Sequence, residues 1–340
     1  MKAVVLYGPK DVRVVSDFPE PPLAENGVKV AVAYCGLCGT DFHKYQGKAG
    51  SRPVTCPVAL GHEVSGVVVE VGAAVTDFQI GDRVTVDPNW SCGHCYFCKN
   101  GKTHLCDASK GVVKGMAQYV CPPQENVYHL PDHLSLRDAA LCEPLACCLH
   151  GVDLLEMKPG ESVAVVGFGA IGNLMVQLCR NAGASDIIVI EPEESKRETA
   201  MKLGATLFLN PQTDDLQEAI RRAGIHNVEN VLECAGLPVT AQLALDIAGK
   251  GATVVLFGVM DRGAEIPLKA YEAFQKELTI KTSYVNPHTT DRAISLLAKG
   301  SVDTEAAIGR MISPEELPEE LETRKFSRLG KVIVRIAEVE

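Results

Sequence analysis

Residues 163–172 have the sequence VAVVGFGAIG, and this stretch decides how the second half of the chain folds. Val163–Val166 is a short apolar run with the β-branched composition of a buried strand. Glycines in the spacing G-x-G-x-x-G follow it directly, and the apolar pattern of a helix then continues to Ala182 and ends at Gly183. A strand, a glycine turn and a helix in this order predict a dinucleotide-binding turn, with the pyrophosphate at the helix N-terminus.

Each glycine of this turn has its own role in the prediction. Gly167 permits the tight bend, Gly169 lets the pyrophosphate approach the backbone, and Gly172 lets the helix pack closely against the strand. A G-x-G-x-x-G pattern alone is a weak signal. Here the strand before it and the helix after it meet the structural requirement of the motif.

The residue that ends the next strand predicts which dinucleotide binds. Glu191 follows the apolar run Ile187–Ile190, about 20 residues after the turn, as the dinucleotide motif requires. A carboxylate there accepts hydrogen bonds from the ribose hydroxyls and repels a 2′-phosphate, so NAD is favoured over NADP. Two alternatives remain open: Glu191 is a solvated strand end, or Lys196 or Arg197 receives a phosphate.

Strands and helices alternate after about residue 158, which predicts βαβ units on a doubly wound parallel sheet. The first part of the chain instead has short alternating strands between Gly, Pro and Asp turns, which predicts a β-rich, barrel-like domain. Within it, Leu136–Cys148 has a helical pattern. Near the C-terminus, the strand Lys331–Ile336 is expected to pair with the first domain. We expect domains at 1–150, completed by 288–340, and at 151–287.

The composition narrows the class of protein. A chain of 340 residues is long for a single core, so two domains are expected. The net charge of −10, without a basic stripe, argues against a nucleic-acid partner. There is neither an apolar run of membrane-spanning length nor a signal peptide pattern, so we expect a cytoplasmic protein without membrane association. In that compartment the 13 cysteines are expected to be metal ligands, catalytic thiols or core residues rather than disulfides.

A cysteine-rich loop has the spacing of a metal site. Cys92, Cys95, Cys98 and Cys106 form the pattern C-x2-C-x2-C-x7-C. Four thiolates can close a tetrahedral shell around zinc and leave no open position, which predicts a structural site. An iron–sulfur cluster is the alternative, because thiolates also suit iron.

A second group of candidate ligands is dispersed along the chain. Cys38, Thr40 and His43 lie within six residues, Gly61-His62-Glu63 follows, and Glu143 comes later. Each of these residues alone has an ordinary structural explanation. Together with the dinucleotide turn they predict a catalytic zinc with three protein ligands and one exchangeable position.

In their order along the chain, these motifs resemble the zinc-containing medium-chain dehydrogenase/reductase family. The resemblance covers essentially the whole chain and is greatest to the polyol (sorbitol-type) and sugar-alcohol dehydrogenases. It implies a GroES-like catalytic domain and a Rossmann domain. It also implies two zinc ions per chain, the catalytic one at Cys38, His62 and either Glu63 or Glu143, and a proton relay through Thr40 and His43. The positions implied for the cofactor are Gly167, Gly169, Ala170, Ile171, Gly172, Glu191, Lys196, Phe257, Gly258, Val259, Ser283 and Tyr284.

Two segments depart from the family pattern. Gly111–Met116 replaces the usual Gly-Gly-Phe-Ala-Glu run, and the Arg-Tyr pair that holds polyols in animal sorbitol enzymes is not evident near Tyr284–His288. The resemblance therefore does not predict the shape of the substrate. Relatives are commonly homodimers or homotetramers, and residues 253–267 would suit a contact between Rossmann sheets, although burial inside one chain explains them equally well.

The motifs and the family resemblance together predict transfer of a hydride between NAD and a secondary alcohol or ketone, with a polyol or sugar alcohol as the favoured substrate. L-Threonine 3-dehydrogenase and butanediol dehydrogenase are the alternatives within the oxidoreductases. A catalytically inactive, zinc-stabilised binding protein is the alternative from another class. The presence of Cys38, Thr40, His62 and Glu63 together argues against it.

Overall fold

The computed structural model describes residues 1–50 and 52–338. The chain divides into two compact units, Met1–Ala146 with Val285–Glu340, and Cys147–Tyr284. Within the described residues, every helix is too short or too polar to cross a membrane.

The strands are β1 (Ala3–Gly8), β2 (Asp11–Val15), β3 (Val28–Gly36), β4 (Val58–Ala59), β5 (Glu63–Val71), β6 (Arg83–Val86), β7 (Asn89–Trp90), β8 (Lys110–Gly111), β9 (Tyr119–Val120), β10 (Val127–His129), β11 (Ser162–Val166), β12 (Asp186–Ile190), β13 (Leu207–Leu209), β14 (Asn230–Glu233), β15 (Thr253–Leu256), β16 (Thr279–Thr282), β17 (Ile308–Ile312) and β18 (Lys331–Arg335).

The α-helices are α1 (Gly39–Tyr45), α2 (Tyr96–Lys99), α3 (Leu136–Ala139), α4 (Cys142–Asp153), α5 (Ala170–Asn181), α6 (Arg197–Leu203), α7 (Leu216–Arg222), α8 (Pro238–Ile247), α9 (Ala270–Lys276), α10 (Thr290–Ala298), α11 (Thr304–Ala307) and α12 (Leu317–Thr323). Short 3-10 helices span Thr103–Leu105, Gln124–Asn126, Glu194–Lys196 and Pro314–Glu316.

The first unit is built on a sheet with the strand order β10-β6-β5-β3-β18-β17, in which β9 also pairs with β3. The prediction that the last strand returns to this domain is confirmed, because β18 pairs antiparallel with β3 and places Ile333 opposite Gly36. The inward valines of these strands, such as Val30, Val64 and Val332, pack into one core. This core supports the ends of β3 and β5, where the candidate zinc ligands lie.

The helix predicted at Leu136–Cys148 is wrong in its continuity and in its end. Two helices, α3 and α4, occupy the segment, and α4 continues to Asp153. Ser135 caps α3 by accepting a hydrogen bond from the backbone N–H of Asp138. Pro144 has no N–H to donate to the carbonyl of Ala140, so the hydrogen-bond ladder cannot run from α3 into α4.

The second unit is a six-stranded sheet with the order β13-β12-β11-β14-β15-β16 and parallel pairing throughout. Numbered from β11, this is the doubly wound order 3-2-1-4-5-6, so the predicted fold of this part is confirmed. The order reverses between β11 and β14. In such sheets ligands bind beyond the carboxyl ends of the strands at this point.

Of the two explanations for residues 253–267, a contact between Rossmann sheets or burial inside one chain, the structure supports burial for the strand in that range. β15 (Thr253–Leu256) pairs with β14 on one side and with β16 on the other. A strand paired on both sides has no free backbone groups to offer, and its apolar residues are explained by burial within one chain. The edge strand on that side is β16.

Candidate active site

The turn after β3 holds Cys38 against the segment that contains His62. Cys38 is the N-cap of α1, and the buried Asp41 lies in the first turn of that helix. One carboxylate oxygen of Asp41 accepts a hydrogen bond from the backbone N–H of Cys38 at 3.1 Å, and the other accepts one from the N–H of Gly61 at 3.2 Å. Asp41 therefore fastens the two motif segments to each other.

Glycine is required at two positions around the candidate zinc ligands. Gly61 has φ +83°, and a Cβ there would lie 2.6 Å from Cys35 Sγ and 2.7 Å from Met116 Cγ. A Cβ at Gly36 would lie 1.8 Å from Glu63 Oε2, because Gly36 is opposite Glu63 in the pairing of β3 with β5. Gly36 therefore keeps space for the candidate ligand Glu63, and Gly61 keeps space for Cys35 and Met116.

Three donors of different chemistry meet at this point. Ligand atoms of Cys38, His62 and Glu63 all lie within 4.8 Å of one another. Glu63 is fully buried, and its Oε1 accepts a hydrogen bond from Lys331 Nζ. Its Oε2 is buried without a hydrogen-bond partner among the described residues. A buried carboxylate oxygen without a partner is costly, and a sulfur, nitrogen and oxygen donor set suits zinc, so these residues fit a zinc ion.

The electrostatics of the cluster also favour a cation. Burial raises the pKa of Cys38 to about 11, and the charge of Glu63 adds to the effect. Burial likewise raises the pKa of Glu143 to about 8, although His62 opposes the shift. Burial by itself would lower the pKa of Lys331, but the charges of Glu63 and Cys38 outweigh it and the pKa rises. A bound divalent cation would stabilise the ionised thiolate and carboxylates.

A cavity of about 170 Å³ opens beside this cluster. Thr40, His62 and Glu143 line it together. Glu143 lies in the first turn of α4, and its carboxylate is not among the three ligand groups that meet within 4.8 Å. His43 is on α1 three residues after Thr40, so the two side chains share a face of the helix.

The cysteine-rich loop forms a compact cluster of four thiols. The Sγ atoms of Cys92, Cys95, Cys98 and Cys106 lie within 4.8 Å of one another, with 3.5 Å between Cys95 and Cys98 and between Cys92 and Cys106. The edge of a tetrahedron with Zn–S bonds of about 2.3 Å is about 3.8 Å long, so the spacing fits a zinc ion. Gly93 and Gly101 have φ +74° and +71°, which lets the loop turn back on itself.

The three glycines of the dinucleotide turn have different surroundings. Gly167 has φ +93°, and a Cβ at Gly172 would lie 2.0 Å from the carbonyl oxygen of Gly167. These two glycines are explained by the turn and by helix packing. A Cβ at Gly169 would meet nothing within 4 Å, although Gly169 is the N-cap of α5. The space beside Gly169 at the N-terminus of α5 is thus free of protein atoms, as a site for a pyrophosphate requires.

Glu191 is part of this turn rather than a solvated strand end. It is 6% exposed, and its carboxylate accepts hydrogen bonds from the backbone N–H groups of Phe168 at 2.8 Å and Glu193 at 3.1 Å. Lys196 Nζ lies 3.3 Å from Glu191 Oε2. Two of the residues predicted to bind the adenosine ribose are therefore in contact with each other, and Glu191 also contacts the glycine turn.

The other predicted cofactor residues follow two neighbouring strands. Phe257 and Gly258 come directly after β15, and their N–H groups donate to the carbonyl oxygen of Glu233 at 3.0 Å; Val259 follows them and is 48% exposed. Ser283 and Tyr284 come after β16, and Ser283 Oγ is buried without a hydrogen-bond partner among the described residues. All of them lie at the carboxyl edge of the parallel sheet, where dinucleotides bind.

Three acidic and basic residues that the sequence interpretation overlooked hold the candidate sites together. Asp41 and Lys331 are described above. Glu233 is fully buried, and its Oε1 accepts hydrogen bonds from the N–H groups of Ala235 and Gly236 and from Thr240 Oγ1. Glu233 and Lys331 could have been found from the sequence, because each is a charged residue in a largely apolar strand. Charged side chains are almost never fully buried unless they are paired.

Replacing Asp41 with asparagine is expected to weaken zinc binding at the Cys38 cluster. The amide nitrogen would face a backbone N–H where a carboxylate oxygen now accepts, so one link between the two motif segments is lost. We expect catalytic efficiency and zinc affinity of this site to fall about 10- to 100-fold, while the cysteine loop keeps its metal. Zinc per chain and kcat/KM measure this. Asp77→Asn, at an exposed position, is the control, and equal behaviour of the two variants would contradict the assignment.

Comparison with known proteins agrees with this geometry. The family model of the alcohol dehydrogenase GroES-like domain matches residues 24–132, and the model of the zinc-binding dehydrogenase domain matches residues 170–299. Sorbitol dehydrogenase of Bacillus subtilis (strain 168) is 32% identical over 329 residues, which cover 95% of this chain and 93% of the relative. The chain belongs to the zinc-containing medium-chain alcohol dehydrogenase family.

Two further members of the family illustrate the range of its chemistry. D-Arabitol-phosphate dehydrogenase of Enterococcus avium is 33% identical, with 91% of this chain and 90% of the relative covered. A crystal structure of a zinc-binding dehydrogenase from Sinorhizobium meliloti 1021 bound to NADP is 38% identical, with a TM-score of 0.91 and 98% of both chains covered. The predicted GroES-like and Rossmann domains and the oxidoreductase class are confirmed by these relationships.

Proposed function

We propose that this family member oxidises the secondary hydroxyl of a polyol or sugar alcohol with NAD, at a zinc held by Cys38, His62 and Glu63. The observation that carries the proposal is the convergence of these three donors beside the cavity that Thr40 also lines. The names of the relatives, sorbitol and D-arabitol-phosphate dehydrogenase, support the substrate class. Glu143 lines the same cavity and is proposed to face the exchangeable position rather than to be the third ligand.

The chemistry divides between the bound groups and the side chains. A zinc ion held by Cys38, His62 and Glu63 would supply a Lewis acid for the substrate oxygen, and a nicotinamide dinucleotide held at the glycine turn would supply the hydride acceptor. The Thr40 hydroxyl accepts the hydroxyl proton of the substrate and donates its own onward, and His43 passes the proton to solvent. Cys38, His62 and Glu63 keep their places through Asp41 and Lys331.

Replacing Thr40 with valine should lower kcat about a hundredfold, because valine keeps the shape of threonine and removes the hydroxyl that relays the proton. Zinc per chain should stay the same. Thr40→Ser, which keeps a hydroxyl, is the matched control and should retain most of the activity. Unchanged turnover in Thr40→Val would exclude this residue from the relay.

The preference for NAD is proposed from the buried carboxylate of Glu191 at the glycine turn. Glu191→Gln removes the charge that repels a 2′-phosphate and leaves Lys196 without its anionic partner. We expect the ratio of kcat/KM with NAD to kcat/KM with NADP to fall about tenfold, equivalent to about 1.4 kcal/mol. Glu198→Gln, at an exposed position of α6, is the control. A wild-type preference for NADP that Glu191→Gln leaves unchanged would refute the proposal.

Cys92, Cys95, Cys98 and Cys106 are proposed to bind the second, structural zinc. The cysteine spacing also suits an iron–sulfur cluster, and the absorption spectrum separates the two, because only the cluster absorbs visible light strongly. A cytoplasmic location and a homodimeric or homotetrameric state stay predictions. Size-exclusion chromatography with light scattering measures the second of them.

The proposed function is tested by zinc analysis together with reduction of NAD and NADP in the presence of polyols, vicinal diols, secondary alcohols and threonine. Roughly two zinc ions per chain with turnover of polyols is the expected result. Preferred turnover of butanediol or threonine would select one of the alternative dehydrogenases. One zinc per chain and no turnover of any alcohol would favour the inactive binding protein.

A further inference from the structure

The cavity beside His62 has a positively charged wall. Lys44, Arg52 and Lys114 line the same cavity of about 170 Å³ as Thr40 and His62. Sugar alcohols are uncharged, and their hydroxyl groups need hydrogen-bond partners rather than three cations. The wall therefore points to a feature of the substrate that the proposed function leaves undefined.

The three basic residues come from three separate segments. Lys44 is on α1, four residues after Thr40 and on the same face of that helix. Arg52 follows α1 in the next loop, and its Nη2 lies 3.3 Å from Ser109 Oγ. Lys114 belongs to the segment Gly111–Met116, which departs from the family pattern. Because the fold brings these segments to one cavity, the cluster is not a consequence of a local run of lysines.

The positive charges act on one another. Burial lowers the pKa of Lys114, and the charges of Lys44 and Arg52 lower it further, whereas Asp41 acts in the opposite direction. Both carboxylate oxygens of Asp41 already accept backbone hydrogen bonds. Among the described residues, neither Lys44 nor Lys114 has an ion-pair partner. Two lysines held near each other and near Arg52, without ion-pair partners of their own, cost free energy, and an anionic ligand would recover it.

We propose that the cavity binds the phosphate group of a phosphorylated sugar alcohol, with the reacting hydroxyl toward Thr40 and His62. A phosphate monoester carries close to two negative charges and three acceptor oxygens, which match three cationic donors better than the single charge of a carboxylate. The ammonium group of a β-hydroxy amino acid would be repelled by the same wall. This inference rests on the proposed function, because it names the substrate class of that same site.

The test compares matched pairs of substrates on the zinc-loaded enzyme, namely sorbitol with sorbitol 6-phosphate and arabitol with arabitol 5-phosphate. Gluconate serves as the carboxylate probe. We expect kcat/KM to be at least about tenfold higher for the phosphorylated member of a pair. Lys44→Gln and Lys114→Gln should each lower the ratio of phosphorylated to free substrate about tenfold. Lys48→Gln, an exposed lysine of the same segment, should leave the ratio unchanged.

Equal use of free and phosphorylated polyols, with ratios that the variants do not change, would overturn the inference and leave the proposed function standing. A preference for gluconate over every phosphate ester would also overturn it. If no alcohol is oxidised, the proposed function fails. Calorimetry then measures whether sorbitol 6-phosphate binds, which tests the anion site independently of catalysis. Binding that the Lys44→Gln/Lys114→Gln double variant loses and Lys48→Gln keeps supports the site, and absence of binding refutes it.

Discussion

Replacing His62 with alanine is expected to lower kcat/KM at least about a thousandfold, because the contribution of a catalytic zinc is several kcal/mol of transition-state stabilisation. The imidazole is one of three donors that meet within 4.8 Å, and Cys38 and Glu63 alone would bind the ion weakly. Zinc analysis of the variant should show roughly one ion per chain instead of roughly two, since the cysteine loop is independent of His62.

The control for this experiment is His226→Ala, at an exposed position of the other unit, which should keep both the zinc and the activity. The thermal unfolding midpoint of His62→Ala verifies that the protein is folded. A variant that has lost one zinc and yet keeps full turnover would mean that the chemistry does not use this site. A variant that keeps both ions would mean that His62 is not a ligand.

Replacing Cys98 with serine is expected to remove the second zinc and to lower the thermal unfolding midpoint by about 10 °C, because losing a structural metal costs about 4 kcal/mol or more. The loop 92–106 contains only short helical segments, α2 and the 3-10 turn Thr103–Leu105, and Cys106 is its buried thiol. A zinc ion bound by the four cysteines would therefore stabilise this loop in place of an apolar core. Limited proteolysis should cut this loop first in the variant.

Cys121→Ser is the matched control for Cys98→Ser. Cys121 is a partly buried thiol whose contact is with the carbonyl oxygen of Pro21, and its loss should cost about 1 kcal/mol. The catalytic zinc should remain in both variants. An unchanged midpoint and unchanged zinc content in Cys98→Ser would show that the four thiols do not share a metal.

The parallel sheet could be predicted because the local sequence signals for its strands and helices agree with the fold that they form. The apolar run Val163–Val166, the glycine turn and the helix after it need only neighbouring residues to form, and they appear as β11 and α5. The helix at Leu136–Cys148 was predicted without its break, because apolar periodicity passes through Ala140 and Leu141 while the missing N–H of Pro144 does not permit one helix.

The candidate zinc sites were predictable to different degrees. The cysteine loop is local in sequence, so its spacing alone predicts four thiols in one place. The catalytic cluster depends on the pairing of β3 with β5, and the sequence left Glu63 and Glu143 as equal candidates for the third ligand. The fold brings Glu63 to Cys38 and His62 and places Glu143 on the wall of the cavity.

The sequence by itself determined the class of this protein: a glycine turn between strand and helix, four closely spaced cysteines, and the Cys38 and His62 motifs. Within each of these motifs the residues are close in sequence, so the few conformations open to the backbone keep them close in space. Only the tertiary structure decided that Asp41 joins the two motif segments, that Lys331 holds Glu63, and that Lys44, Arg52 and Lys114 face one cavity. Such contacts depend on which strands pair and which loops meet, and this is set by the packing of the whole core rather than by neighbouring residues.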